Sequence, residues 1–111
     1  MKRVIIMTID LQKISKKLGF SPEETKKWLK KFVEYSPNYL DPLYEGIKEK
    51  DFNKLALTAY KLKGSAAMLG IDELADIAER IYQGAGGEKD IDYLGLVDEV
   101  RITIREIKAA L

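Results

Sequence analysis

Apolar positions recur every three or four residues through most of the chain, which is the spacing of amphipathic helices rather than of strands. The clearest stripe begins after Asp51 and has separations of 3, 4, 3, 4 and 3 residues. This spacing predicts a helix that Asp51 caps and Gly70 ends, with one side turned toward other helices of a bundle. The stripe consists of Phe52, Leu55, Ala59, Leu62, Ala66 and Leu69.

Two helical segments precede this one. A short helix is predicted over residues 10–18, and Gly19 ends it. The letters "SPEE" at 21–24 start a longer helix, in which Ser21 caps, Pro22 fits the first turn and Glu24 completes a capping box.

Two prolines beyond the first turn, Pro37 and Pro42, interrupt this longer helix and predict a kink or break near Ser36, because proline removes a backbone hydrogen bond and crowds the preceding turn. Its inner face is predicted to carry Leu29, Phe32, Leu40, Leu43 and Ile47, with Trp28, Val33 and Tyr39 beside them.

Two more helices complete the pattern. Asp72 is predicted to cap a fourth helix whose inner residues are Leu74, Ala75, Ala78 and Ile81. The letters "QGAGGEKD" at 83–90 are typical of a loop. A last helix from about Ile91 is expected to bury Leu94, Val97, Val100, Ile104, Ile107 and Leu111.

Together these elements predict an all-α fold, an up-down four-helix bundle with a short additional N-terminal helix packed on one end. We expect residues 1–7 to be a flexible lead and residues 8–111 to form the domain. The apolar run in the lead, at 4–7, is far shorter than a signal-peptide core or a membrane span, so we expect a cytoplasmic protein.

Composition excludes several kinds of chemistry. The chain of 111 residues contains neither cysteine nor histidine, which excludes disulfides, zinc-thiolate sites and the usual general base near neutral pH. Its net charge of +1 gives no indication of a nucleic-acid partner. The acidic pairs at 23–24 and at 90 and 92 are typical of helix starts. We therefore expect a monomeric domain that is not an enzyme, binds no metal or cofactor and contacts no membrane.

The outward side of the third helix is not an ordinary charged face, because apolar or small residues occupy much of it. Gly64 is the least expected of them, since a glycine inside a helix costs about 0.5–1 kcal/mol relative to alanine. Two structural explanations are that the position tolerates glycine or that it packs closely against the second helix. The functional explanation is that a partner approaches the backbone here. The pattern favours a protein-docking surface that can tolerate a phosphate, and it comprises Leu57, Tyr60, Lys61, Lys63, Gly64, Ala67 and Met68.

The same stretch resembles the histidine-containing phosphotransfer (HPt) family of two-component phosphorelays. That family's motif runs alanine, phosphorylated histidine, any residue, leucine, lysine, glycine, two small residues, then leucine-glycine and a further leucine. Here the corresponding residues are Ala59, Tyr60, Lys61, Leu62, Lys63, Gly64, Ser65, Ala66, Leu69, Gly70 and Leu74. Every motif position matches except the histidine, and the resemblance covers about residues 8–108.

The resemblance implies a role for several of these residues. Lys63 would lie beside the phosphoryl group and help to neutralise it, and Gly64 would leave room for a receiver domain to reach the side chain at position 60. The implied partners are a response-regulator receiver domain or a histidine kinase, and the docking rim would contain Leu57, Lys61, Ala67 and Met68.

Tyr60 departs from the family at the acceptor position. A tyrosine hydroxyl has an ordinary pKa of about 10 and is a weak nucleophile near neutral pH. An aryl phosphate ester would also not readily return its phosphoryl group to an aspartate. The sequence therefore favours a pseudo-phosphotransfer module that docks a partner without accepting phosphate, with Tyr60 packed on neighbouring helix surface and its hydroxyl in water.

Two alternatives stay open. The domain could be a genuine phosphotransfer protein whose acceptor histidine is replaced, through engineering or by an unusual acceptor. It could instead be a helical-bundle kinase regulator or interaction domain in which the second and last helices matter more than Tyr60.

Overall fold

A computed structural model describes residues 10–111 of the chain. The lead that the sequence predicts at residues 1–7 lies outside the described residues. Six helices make up the described part: α1 (Leu11–Leu18), α2 (Pro22–Tyr35), α3 (Pro37–Glu49), α4 (Phe52–Met68), α5 (Asp72–Gly86) and α6 (Tyr93–Ala110).

The helices form the predicted bundle, in which α2 and α3 together make one side. The α3 helix packs on α4, α4 packs on α5, α5 packs on α6, and α6 closes the bundle against α2 and α3. The short α1 lies against α2. The predicted stripes supply most of the core, whose fully buried large side chains include Leu29, Leu43, Leu55, Leu62, Leu74, Ile81, Val97, Val100 and Ile107.

The predicted break at Ser36 is confirmed, and its hydrogen bonds explain it. Pro37 has no N–H to donate to the Val33 carbonyl one turn earlier. Ser36 takes over that role, because its backbone N–H donates to the Val33 oxygen at 3.2 Å and its hydroxyl donates to the same oxygen at 2.7 Å. The chain therefore continues from α2 into α3 with no unsatisfied carbonyl at Val33, while Pro42 is accommodated inside α3.

Three predicted helix starts are confirmed by their capping bonds. Ser21 accepts from the Glu24 N–H while Glu24 accepts from the Ser21 N–H, both at 3.1 Å. The Asp51 carboxylate accepts from the Lys54 N–H at 3.0 Å. Asp10 caps α1 in the same way.

The predicted cap at Asp72 is wrong. Ile71 is the N-cap of α5, and no side chain caps this helix end. Asp72 is the first helical residue, and its carboxylate instead meets the Lys17 ammonium of α1 at 2.6 Å. Because Lys17 lies far from Asp72 in the sequence, this contact could not be predicted from the residues around Asp72.

Two further predictions near the C-terminal end need correction. The segment 83–90 is not all loop, because α5 continues to Gly86. Gly84 is buried so closely against Ile91 that a Cβ at position 84 would overlap that side chain, so this glycine serves close packing rather than a turn. The last helix begins after Asp92, and Leu94 and Leu111 are 52% and 38% exposed rather than buried.

The turn between α4 and α5 is short and fixed by glycine. Gly70 has a φ of 72°, in the left-handed region. The Gly70 N–H donates to Ala67 O at 3.1 Å and the Ile71 N–H donates to Ala66 O at 2.9 Å, which is a Schellman motif. The turn therefore sets how α5 runs back along α4.

Candidate docking site

The outer face of α4 presents large apolar side chains to solvent. Leu57, Tyr60 and Met68 are 57%, 58% and 77% exposed. Lys61, Gly64 and Ala67 are exposed on the same face. In contrast, the inward positions of α4 are almost fully buried, so the helix separates a core side from a side available to a partner.

Gly64 lies open in the middle of this face, which we call the α4 face. A Cβ built at Gly64 would meet no heavy atom within 4 Å outside the helix's own nearby backbone. Close packing against the second helix is therefore excluded as the reason for glycine at this position. The side chains around Gly64 leave the backbone of α4 accessible to a partner at this position.

Tyr60 packs sideways on α5 instead of standing free. Its ring centroid lies 5.5 Å from that of Tyr82, with the ring planes inclined by 45°. This separation lies within the range of roughly 4.5–7 Å for interacting aromatic pairs. The contact fits the expected placement of Tyr60 on neighbouring helix surface, and it leaves more than half of the side chain exposed.

Lys63 lies at the α5 edge of the α4 face and forms an ion pair. Its Nζ is 2.7 Å from Oε1 of Glu79. Oε2 of the same carboxylate accepts from Nε2 of Gln83 at 2.9 Å. The contact with Glu79 raises the pKa of Lys63 above its ordinary value, and the contact with Lys63 lowers the pKa of Glu79, with a smaller effect from Gln83.

The Tyr60–Tyr82 and Lys63–Glu79 contacts lie one helical turn apart between the antiparallel helices α4 and α5. Tyr60 and Lys63 are one turn apart on α4, and Tyr82 and Glu79 are one turn apart on α5. The aromatic pair therefore lies directly beside the ion pair. Any ligand that contacts position 60 also lies close to the Lys63 and Glu79 pair.

A groove opens on the opposite edge of the α4 face, between α2, α3 and the end of α4. Its volume is about 310 Å³, and Met68 belongs to both the groove and the α4 face. The Tyr39 and Ser65 hydroxyls, 2.6 Å apart, join α3 to α4 at its base. Trp28 and Tyr35 line it and are 45% and 55% exposed. The apolar surface around Met68 thus extends toward α2.

Sequence reasoning missed Glu79, Tyr82 and the exposed position of Trp28. Glu79 and Tyr82 sit three residues apart, so their sharing one side of α5 could be read from the sequence. That this side faces Tyr60 and Lys63 depends on the register of α5 against α4, which only the folded turn determines. Trp28 was expected beside the inner face, whereas nearly half of it is exposed.

The polar side chains of the α4 face are those of Tyr60, Lys61 and Lys63. The chain has no histidine or cysteine that could activate the Tyr60 hydroxyl as a nucleophile. Among residues 10–111, no group of three or more acidic side chains could hold a metal ion. Within the same range, no helix is long and apolar enough to cross a membrane. What the α4 face does offer is an apolar surface with charges at its margin.

Comparison with known protein families gives a match to the Hpt domain over residues 27–110. The chain belongs to the Hpt domain family. The match begins within α2, so α1 and the Ser21 capping box lie outside it, whereas the sequence predicts a resemblance from about residue 8. Comparison with curated proteins and with solved structures gives no match.

Membership makes this Hpt domain a signalling module of the phosphorelay type. Hpt domains are phosphotransfer carriers rather than enzymes, and they interact with the receiver domains and kinases of phosphorelays. Helix α4 carries most of the residues in which the sequence resembles the family motif, with Tyr60 at the position where that resemblance predicts the acceptor.

Proposed function

We propose that this Hpt domain is a pseudo-phosphotransfer module, which docks a receiver domain or histidine kinase through the α4 face without accepting phosphate. The observation that carries the proposal is the exposure of Leu57, Tyr60 and Met68 around an open Gly64. Exposed apolar surface of this kind is typical of protein-interaction sites.

The chemistry of position 60 supports the second half of the proposal. A phenol near neutral pH is a poor nucleophile, and the chain supplies no histidine or cysteine as a base. Tyrosine is nevertheless favoured at protein interfaces, where its large amphipathic ring is buried. Replacing the acceptor histidine by tyrosine therefore removes the transfer step while keeping a residue suited to docking.

Binding is tested by titrating fluorescently labelled receiver domains and histidine kinases from the same genome with this protein. Leu57→Asp should weaken the affinity about tenfold or more, because it places a charge in an apolar interface. Leu94→Asp is a matched control, because Leu94 is a leucine of similar exposure on α6, which lies diagonally across the bundle from α4. Binding by no receiver and no kinase, or equal losses in both variants, would contradict docking through the α4 face.

The absence of transfer is tested separately with a receiver carrying radiolabelled phosphate. After incubation, the label should remain on the receiver or appear as free phosphate, and none should appear on this domain. Label on Tyr60, identified by mass spectrometry and lost in Tyr60→Phe, would show instead that the domain is a phosphotransfer protein with an unusual acceptor.

A further inference from the structure

Glu79 holds the lysine that the family resemblance places beside the phosphoryl group. The 2.7 Å contact between Lys63 Nζ and Glu79 Oε1 joins α4 to α5, and the two side chains are 40% and 37% exposed. The pair therefore lies at the edge of the α4 face, where an approaching ligand would meet both charges together.

The carboxylate is held from its other side as well. Gln83, one turn further along α5, donates to Glu79 Oε2 at 2.9 Å, so one carboxylate oxygen is hydrogen-bonded and the other is in ion-pair contact with Lys63. An anchored carboxylate keeps its position between Lys63 and Gln83 better than a free one. Both pKa directions agree with this arrangement, since the pair favours the charged form of each group.

Lys61 provides the contrast. It is exposed on the α4 face, and none of the described residues forms an ion pair with it. Two helix positions correspond to a rotation of about 200°, so Lys61 points away from α5 while Lys63 lies against it. Of the two lysines flanking Tyr60, the one nearer to Tyr82 and α5 is thus the one already neutralised.

A phosphoryl group carries up to two negative charges, and it gains most from an unpaired cation. At the Lys63 edge it would meet a pair with no net charge, and the Glu79 carboxylate would repel it. An unphosphorylated receiver has no such requirement and can use the apolar surface around Gly64.

We propose that Glu79 is a specificity-determining residue of the α4 face, which lowers the affinity for a phosphorylated receiver relative to the unphosphorylated one. The inference rests on the proposed docking function and adds which state of the partner is preferred. Glu79 discriminates between the two receiver states because it forms an ion pair with Lys63 and places a negative charge beside the position of the negatively charged phosphoryl group.

The test compares one receiver in two states, unloaded and loaded with beryllofluoride as a mimic of the aspartyl phosphate. Glu79→Gln keeps the size and the hydrogen-bonding capacity of the side chain but removes its charge. It should raise the affinity for the loaded receiver roughly two- to fivefold, the range expected for freeing one exposed cation, and leave the affinity for the unloaded receiver unchanged. The gain should shrink at high salt, because exposed charges are screened.

Two controls isolate the pair. Glu99→Gln removes one negative charge from α6, across the bundle, and should change neither affinity. Lys63→Met combined with Glu79→Gln should abolish the gain, because the released cation is then missing. Circular dichroism and thermal unfolding establish that each variant keeps the bundle.

The outcomes separate the two proposals. If the wild-type domain binds the unloaded receiver but Glu79→Gln gains no affinity for the loaded one, the role of Glu79 is overturned and docking stands. An equal gain for both states also overturns it, since the effect would then be general electrostatics. If neither the wild type nor Glu79→Gln binds a receiver in either state, docking of a receiver is overturned, and with it the role of Glu79.

Discussion

The Tyr60 ring lies 5.5 Å from the Tyr82 ring, so Tyr60 packs against α5. One turn along both helices, Lys63 forms an ion pair with Glu79. The two residues that we propose lie at the acceptor position and beside the phosphoryl group are therefore both in contact with α5. Four predictions follow from the surroundings of these contacts and from the helix ends.

Restoring the nucleophile should restore transfer, and freeing Lys63 should accelerate it. In Tyr60→His, an imidazole nitrogen can form a bond to phosphorus while the bond from phosphorus to the receiver's aspartate oxygen breaks and the carboxylate leaves. We expect radiolabel to appear on the domain. Adding Glu79→Gln should raise the transfer rate roughly two- to fivefold, because the released cation lies beside the developing charge.

The measurement is single-turnover transfer from a phosphorylated receiver, followed by gel autoradiography. Tyr60→His combined with Glu99→Gln is the charge-matched control and should transfer at the rate of Tyr60→His alone. A Tyr60→His domain that binds the receiver but takes up no label would show that more than the nucleophile is missing.

Gly64→Ala should separate stability from docking. The added Cβ meets no neighbouring atom within 4 Å, so alanine should stabilise α4 by about 0.5–1 kcal/mol in denaturant unfolding. If the partner approaches the backbone at Gly64, the same methyl group should weaken receiver binding. A stabilised variant with undiminished affinity would mean that docking does not use the open space at this position.

Glu79 should titrate at a pH below its ordinary value of 4.5, because contact with Lys63 lowers its pKa. The pH dependence of the folding stability follows from this lowered pKa. A depressed carboxyl pKa gives stability that is present above the unfolded-state pKa and is lost as the pH falls through the folded-state pKa. Carbon-detected NMR of the side-chain carboxyl measures the midpoint. Lys63→Met should move it back toward 4.5, and an unchanged midpoint would contradict the ion pair.

Asp51 and Asp72 should differ in their effect on stability, although both are aspartates at helix starts. Asp51→Ala removes a capping bond to the Lys54 N–H and should cost about 1 kcal/mol. Asp72→Ala removes an exposed contact with Lys17 and one negative charge from the first turn of α5, and it should cost about half of that or less. Urea unfolding monitored by circular dichroism gives both values. A larger loss in Asp72→Ala would show that the brace between α1 and α5 matters more than the cap.

Local chemistry was the part of the fold that sequence predicted well. The Ser21 capping box, the Asp51 cap and the break at Ser36 each depend on residues within a few positions of one another. The buried stripe of α4 is equally local, because helix periodicity alone determines which residues share a face. These features needed no knowledge of the neighbouring helices.

Features that depend on packing between helices could not be predicted from the sequence. Gly84 was taken for a loop residue because glycine usually marks turns, whereas its missing side chain makes room for Ile91. Leu94 was expected in the core because it continues an apolar stripe, but it is more than half exposed in the first turn of α6. Pairing of Lys63 with Glu79 needed the relative position of two helices, which periodicity does not contain.

The turn at Gly70 has a consequence for how such a domain could change during evolution. One residue inserted at the start of α5, with the Gly70 turn unchanged, would shift the later α5 side chains by about 1.5 Å and rotate them by about 100° relative to α4. Glu79 would then leave Lys63, and Tyr82 would leave Tyr60, although none of the four residues had mutated. A length change two helical turns away would thus alter the charge at the edge of the α4 face without any substitution on that face.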